Sequence, residues 1–224
     1  MIILETKNLS YSYQDGGMQR QILIDINLSF EKGKMYAIVG KSGAGKTTLL
    51  SLLSGLDTIT AGDVFFAGKS IQKIGYNNYR RNNVGIVFQN YNLLPYMNAV
   101  DNIRVATGIS SNKNNNLNPV EILELLEITA DKMQRPVVKL SGGEQQRVAI
   151  ARAIATDVEI IFADEPTGNL DEKTANEIID VLKKMAREKG KCVIIVTHAK
   201  DIAEKADQII TLKAGNVVLD NSVE

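Results

Sequence analysis

The chain has 224 residues, 44% of them apolar, with 26 basic residues balanced by 26 acidic ones. This fits one large domain, or a core with a subdomain, and it excludes the broad basic field of a nucleic-acid binder and the charge run of an acidic tail. A single cysteine, Cys192, excludes an internal disulfide, and no apolar run approaches the roughly 18 residues needed to span a bilayer.

In chain order, Met1-Ile2-Ile3-Leu4-Glu5 is too short and too soon charged for a signal peptide. Residues 2–10 alternate loosely and predict a strand, and Tyr11-Ser12-Tyr13-Gln14-Asp15-Gly16-Gly17 follows as a turn by composition. Tyr11 and Tyr13 stand two residues apart, so in extended chain they share a face. Ile22 to Phe30 predicts a second strand, and Glu31-Lys32-Gly33-Lys34 turns the chain into the apolar run Met35 to Val39.

Next comes Gly40-Lys41-Ser42-Gly43-Ala44-Gly45-Lys46-Thr47-Thr48, of the form G-x-x-x-x-G-K-T, running into the helical pattern Leu49 to Leu53. A strand, a glycine-rich turn and a helix start together aim backbone N–H groups and a positive dipole end at one spot, which suits a polyphosphate. In such a loop Lys46 reaches the β- and γ-phosphates, and the Thr47 hydroxyl ligates a bridging Mg²⁺.

Ala61 to Gly68 predicts a short strand and turn, and Val84 to Gln89 another strand, closed by a side chain able to touch a metal and a water together. Residues 108–118, rich in Asn and Ser, predict an exposed loop, and Pro119 to Ile128 a helix with proline in its first turn. In Leu140-Ser141-Gly142-Gly143-Glu144-Gln145-Gln146-Arg147 the Ser141/Glu144 spacing is a capping box, so a helix starts here. Its two first-turn glycines are costly in an ordinary helix and expose N–H groups that suit an anion.

Glu159 to Pro166 ends an apolar strand in Asp164-Glu165, where one carboxylate can hold Mg²⁺ and the other activate a water. Asp171 to Lys189 predicts a long helix capped by Asp171 and Gly190. Lys191 to Thr197 predicts a strand, with Cys192 a core residue and His198 at its end. Gln89, Asp164 and His198 thus all stand at strand ends, the edge where open α/β sheets bind ligands.

The order of these motifs resembles that of the nucleotide-binding subunits of ABC transporters over essentially the whole chain. The carriers are the loop at 40–47, Gln89, Leu140-Ser141-Gly142-Gly143-Glu144-Gln145-Gln146, Asp164-Glu165, Asn169-Leu170-Asp171 and His198. The resemblance implies an α/β P-loop NTPase (RecA-like) core with an antiparallel β subdomain and a helical subdomain at about 90–155, all one cassette over 1–224. Phe88-Gln89-Asn90-Tyr91-Asn92-Leu93-Leu94-Pro95 and the stretch from Asp164 to Asp171 are similar to the branch of lipoprotein-releasing LolD, the macrolide and peptide exporter MacB and bacitracin-type resistance transporters. An FtsE-like ATPase of cell division, which regulates wall hydrolysis rather than transporting, is the alternative. Chain length agrees with a stand-alone subunit lacking a C-terminal regulatory domain. Ala199 departs from relatives that commonly carry an acidic residue after the histidine.

The resemblance further implies a head-to-tail homodimer with two ATP molecules sandwiched between subunits. Gly40, Lys41, Ser42, Gly43, Ala44, Gly45, Lys46, Thr47 and Thr48 would hold one ATP, while Ser141, Gly142, Gly143 and Glu144 of the opposite subunit close over it. Thr47, Gln89 and Asp164 would serve Mg²⁺, Glu165 would polarise the water, and His198 would contact the γ-phosphate. Asp171 would act across the interface, and Tyr13, rather than Tyr11, would stack on adenine. The expected partner is a separate membrane permease, met by residues from Gln89 to about Asp101 at the cytoplasmic face, with room for an extracytoplasmic adaptor and no nucleic acid.

Overall fold

The computed structural model describes residues 1–15, 18–110 and 118–218. Strands β1 (Ile2–Asp15), β2 (Met18–Ile26) and β3 (Ser29–Glu31) precede β4 (Met35–Val39), which leads through the glycine-rich loop into helix α1 (Lys46–Leu53). Then come β5 (Ala61–Phe66), β6 (Lys69–Ser70), the helices α2 (Ile71–Ile74) and α3 (Tyr76–Asn83), and β7 (Val84–Val87). The described elements between β7 and β8 (Ile160–Asp164) are helices: α4 (Ala99–Ile109), α5 (Pro119–Leu125), α6 (Ala130–Met133), a 3₁₀ turn at Val137–Lys139, and α7 (Gly142–Ile154). The rest is α8 (Glu172–Arg187), β9 (Cys192–Val196), α9 (Lys200–Ala203), β10 (Gln208–Lys213) and β11 (Asn216–Val218).

Two sheets form among the described residues. The larger has the order β11-β10-β4-β9-β8-β7, parallel from β10 to β7, with β11 antiparallel at one edge. The smaller has the order β2-β1-β5-β6, and β3 also pairs with β1. β4, β8 and β9 are near-continuous apolar runs because both faces of this parallel sheet are covered. Period-two alternation divides their side chains between two cores. Met35, Ala37, Ile161, Ala163, Val193 and Ile195 pack with the helices α4, α5, α7 and α8. Tyr36, Ile38, Ile160, Phe162, Ile194 and Val196 pack towards α1 and the small sheet.

Three sequence expectations need correction. Tyr11 to Asp15 continues β1 and pairs with β2, Tyr11 opposite Leu23 and Tyr13 opposite Arg20, because the antiparallel ladder outweighs turn-like composition; Gly16 and Gly17 lie outside the described residues. Ile22 to Phe30 is two strands. The break at Asn27-Leu28 follows left-handed Asp25 (φ 48°) and is held by Thr6, whose hydroxyl donates to Ile26 O and accepts from Leu28 N, each at 2.8 Å. In the 108–118 stretch, Gly108 and Ile109 are the last turn of α4, and 111–117 lie outside the described residues. In addition, the strand predicted to Gln89 ends at Val87, and helices α2 to α4 and strands β10 and β11 add to the predicted elements.

Between β7 and α4 the chain is irregular, and one buried side chain organises it. Asn102 is fully buried; its Oδ1 accepts from Leu94 N at 2.8 Å, and its Nδ2 donates to Asn98 O at 3.0 Å and Leu94 O at 3.2 Å. An amide serves here because it answers donors and acceptors together. Asn102→Ala leaves several buried backbone groups unpaired and should lower stability by about 2 kcal/mol, read as a reduced midpoint in urea denaturation.

Candidate functional site

The ends of four strands meet at one level. Ile38 of β4 and Asp164 of β8 both stand opposite Val196 of β9, and Val87 of β7 stands opposite Ala163. The loops that follow therefore emerge together. After β4, Gly40 passes so close to β10 that a Cβ there would lie 2.4 Å from Leu212 O, while Gly43 (φ 76°) and Gly45 (φ 98°) take left-handed conformations open to glycine. Lys46 arches back over the loop, its Nζ donating to Gly40 O at 2.9 Å and Lys41 O at 3.2 Å.

Helix α1 starts without a side-chain cap and without an acid in its first turn. Helix α3 likewise starts on a glycine without a cap, whereas α4, α5, α7 and α8 begin with Asn98, Asn118, Ser141 and Asp171, each accepting a first-turn N–H. The α1 amides are thus donors that the chain itself does not cap, at the positive end of a helix.

A cleft of about 450 Å³ opens above this start, lined by Arg20, Ser42, Gly43, Gly45, Lys46, Thr47, Thr48, Gln89, Asp164 and Glu165. Asp164 Oδ1 is buried and has no hydrogen-bond partner. Burial, and next the neighbouring Glu165 carboxylate, push the Asp164 carboxyl above its usual range, while the Lys46 ammonium and Thr47 hydroxyl pull the other way. A buried oxygen that burial makes costly to charge is matched to a cation.

Glu165 is left-handed (φ 47°), its N–H donating to Val196 O at 2.9 Å. A non-glycine residue in that region carries strain, and here it turns the carboxylate into the cleft. Glu165 Oε1 lies 2.9 Å from His198 Nδ1. His198 lines an adjoining cleft with Gly40 and Lys41, and this contact joins the two. The Gln89 amide lies beside the 165–168 turn: a Cβ on Gly168 would sit 3.3 Å from Gln89 Nε2.

Other residues singled out in the sequence lie away from this lining. Tyr11 is buried and its hydroxyl donates to Asp57 Oδ2 at 2.7 Å; that bond, then burial, raises its pKa well above the usual tyrosine range. Tyr13 stacks edge-on against it at 5.0 Å but stays 47% exposed, so of the two rings it is the one with an open face. Ser141 and Glu144 form the expected capping box, with Glu144 N donating to Ser141 Oγ at 3.3 Å and Ser141 N to Glu144 Oε2 at 2.9 Å. Asp171 caps α8, accepting from Thr174 N at 3.0 Å and Thr174 Oγ1 at 2.7 Å; these bonds hold its carboxyl below the usual range.

The two glycines of α7 also have a reason within one chain. A Cβ on Gly143 would lie 2.6 Å from Thr174 Cγ2, and one on Gly142 3.0 Å from the Tyr91 hydroxyl.

Three further side chains of α7 tie it to its surroundings, and the sequence gives none of them a role. Gln146 Nε2 donates to Pro166 O at 2.8 Å, beside Glu165. Arg152 donates to Asn92 O at 2.5 Å and Tyr91 O at 3.0 Å, gripping two left-handed residues just past Gln89. Buried Arg147 donates to Leu126 O at 3.0 Å and lies 2.5 Å from Glu177 Oε2. The available signal is three long polar side chains set in or beside a row of small and aliphatic residues, Val148 to Ala155, that packs on every side.

A family model described as ABC transporter matches residues 23–168. An uncharacterized ABC transporter ATP-binding protein of Bacillus subtilis, YclH, is 44% identical over 100% of this chain and 99% of its own. One of Mycobacterium tuberculosis is 41% identical over 96% of this chain and 89% of its own. Among solved structures, the ATP-binding cassette MJ0796, a dimer in a post-hydrolysis state bound to ADP and Pi, superposes with a TM-score of 0.86 at 34% identity over 96% of each chain. CbiO1 of Clostridium perfringens, part of the ABC transporter complex CbiONQ, superposes with a TM-score of 0.83 at 29% identity, covering 97% of this chain and 87% of its own.

The Gly143–Thr174 contact yields a test. Gly143→Ala should destabilise the protein by about 1–3 kcal/mol through overpacking. Adding Thr174→Ser, which removes Cγ2 and keeps the hydroxyl on Asp171, should recover most of that loss in thermal unfolding.

Proposed function

The chain belongs to the ABC transporter ATP-binding family and is an ATPase, and from that premise we propose that it is the motor subunit of a MacB/LolD-type transporter. In this reading two copies close head to tail over two ATP molecules and drive a separate permease that exports or extracts peptides, lipoproteins or drugs. The observation that carries it is the division of the site. The uncapped start of α1 faces a cleft with Asp164 and Glu165, whereas the glycine-bearing start of α7 lines neither that cleft nor the one beside it. A second copy would supply the missing half.

Gly40 to Thr48 cradle the phosphates of one ATP, with Lys46 turning from its loop carbonyls to the β- and γ-phosphates. Tyr13 offers its open face to adenine. From the opposite copy, Ser141, Gly142 and Gly143 present the α7 start to the γ-phosphate, Glu144 contributes by capping Ser141, and Asp171 lies at the interface. The donor set fits Mg²⁺. Asp164 Oδ1 is buried and unpartnered, Thr47 and Gln89 line the same cleft, and among the described residues no group of three or more His, Cys, Asp or Glu forms an all-protein cage, which suits an ion shared with substrate phosphates. When bound, Mg²⁺ neutralises charge developing on the β- and γ-phosphates. Glu165 polarises the attacking water and accepts its proton, while His198, held to Glu165, orients towards the γ-phosphate.

Differential binding of ATP to the closed pair supplies the work. The segment past Gln89 presents Leu94, Tyr96 and Met97 to solvent, Tyr96 at 93% exposure, which is apolar surface suited to a permease helix. No helix of the described residues is long and apolar enough to cross a membrane, so in this reading the permease holds the ATPase at the cytoplasmic face. The span 90–155 is assigned to the helical subdomain.

Glu165→Gln should bind ATP, slow hydrolysis by about 10²–10⁴-fold and accumulate an ATP-bound dimer in sedimentation; unimpaired turnover would show that Glu165 does not activate the water. Ser141→Arg placed in the same protein should abolish that dimer. Tyr13→Ala should raise the KM for ATP by roughly tenfold with kcat little changed, since stacking is uniform binding. A co-purifying partner that recruits wall hydrolases, in place of a MacB-type permease, would favour the FtsE-like reading.

A further inference from the structure

The first turn of α7 contains a conflict of charge. On the proposed head-to-tail sandwich, on which this inference rests, the Gly142 and Gly143 amides and the Ser141 hydroxyl meet the γ-phosphate of the ATP held by the opposite copy. Glu144 stands in the same turn. An acid at N3 suits an isolated helix, since it answers the dipole and completes the capping box. A phosphate approaching that helix end is repelled by the same acid.

The structure shows how the carboxylate is occupied. Oε2 accepts the Ser141 N–H at 2.9 Å, and Oε1 lies 2.6 Å from Nζ of Lys132, which α6 carries across to the α7 start. The neighbouring Asp131 pairs with Arg135 at 2.6 Å. The Lys132 contact is also the leading reason that the Glu144 carboxyl sits below the usual range, so the acid is ionised and its charge has to be answered. Both side chains are half-buried at the surface, where ion pairs contribute modestly to folding. Placed at the point of phosphate approach, the pair sets the charge that the phosphate meets.

We propose that Lys132 is a positioning residue for ATP-driven closure: it neutralises Glu144 and so leaves the α7 start net attractive to the incoming γ-phosphate while the capping box stays intact. Each dimer has two such ends, so a defect counts twice.

The test uses the Glu165→Gln protein, with ATP titrated at low and high salt and dimer read by sedimentation. Lys132→Ala should raise the ATP needed for half-maximal dimer by roughly tenfold at low salt, and by less at high salt, as expected of a screened charge effect. Lys132→Ala combined with Glu144→Gln should return to within about threefold of the parent, because a neutral amide still accepts the Ser141 N–H and needs no counter-ion. A role confined to anchoring α6 would leave the double variant as weak as Lys132→Ala, and that result overturns the proposal. So does Lys132→Ala dimerising as the parent does. A parent that forms no ATP-dependent dimer removes the head-to-tail sandwich itself, and this inference with it.

Discussion

The site depends on the parallel register of β4, β9, β8 and β7. With Ile38 and Asp164 both opposite Val196, the loop that would hold phosphate and the carboxylates that would act on it leave the sheet at one height. A one-residue slip of β8 would bury Asp164 on the wrong face and move Ala163 into its place. Apolar alternation opposes the slip, because Ile161 and Ala163 belong to one core and Ile160 and Phe162 to the other. The geometry of the candidate site is therefore a by-product of core packing on both faces of the sheet.

Helix α7 then links the separate parts. It carries the Ser141 cap at its start, reaches the turn after Glu165 through Gln146, and grips the segment after Gln89 through Arg152. Arg152 is half-buried, and that desolvation lowers its pKa, yet two backbone carbonyls answer its guanidinium. Contacts of this kind make neighbouring pieces move as one body, because leaving a buried guanidinium unpaired is costly.

What is legible in the sequence is local. The glycine-rich loop, the Ser141/Glu144 box, the Asp171 cap and the apolar strands β4, β8 and β9 each announce themselves within a few residues, and the structure has them where the spacing puts them. What stays hidden depends on partners far along the chain. Tyr11 and Tyr13 are equivalent in sequence and are separated by Asp57, 46 residues beyond Tyr11. Arg152 acquires meaning through carbonyls 60 and 61 residues earlier. Asn102 lies in a helix whose pattern gives no reason to expect a fully buried amide. The turn-like composition of Tyr11 to Asp15 misleads for the same reason, since β2 lies across from it and supplies the ladder.

The bare start of α1 has one more consequence. A serine or aspartate at position 45 would be the ordinary way to steady that helix, yet glycine stands there in a left-handed conformation with no cap. On the proposed reading, the fold leaves one of its own structural joints to be finished by its substrate. Its resistance to unfolding is then partly a property of the surroundings, rising and falling with the nucleotide concentration in which the protein is kept.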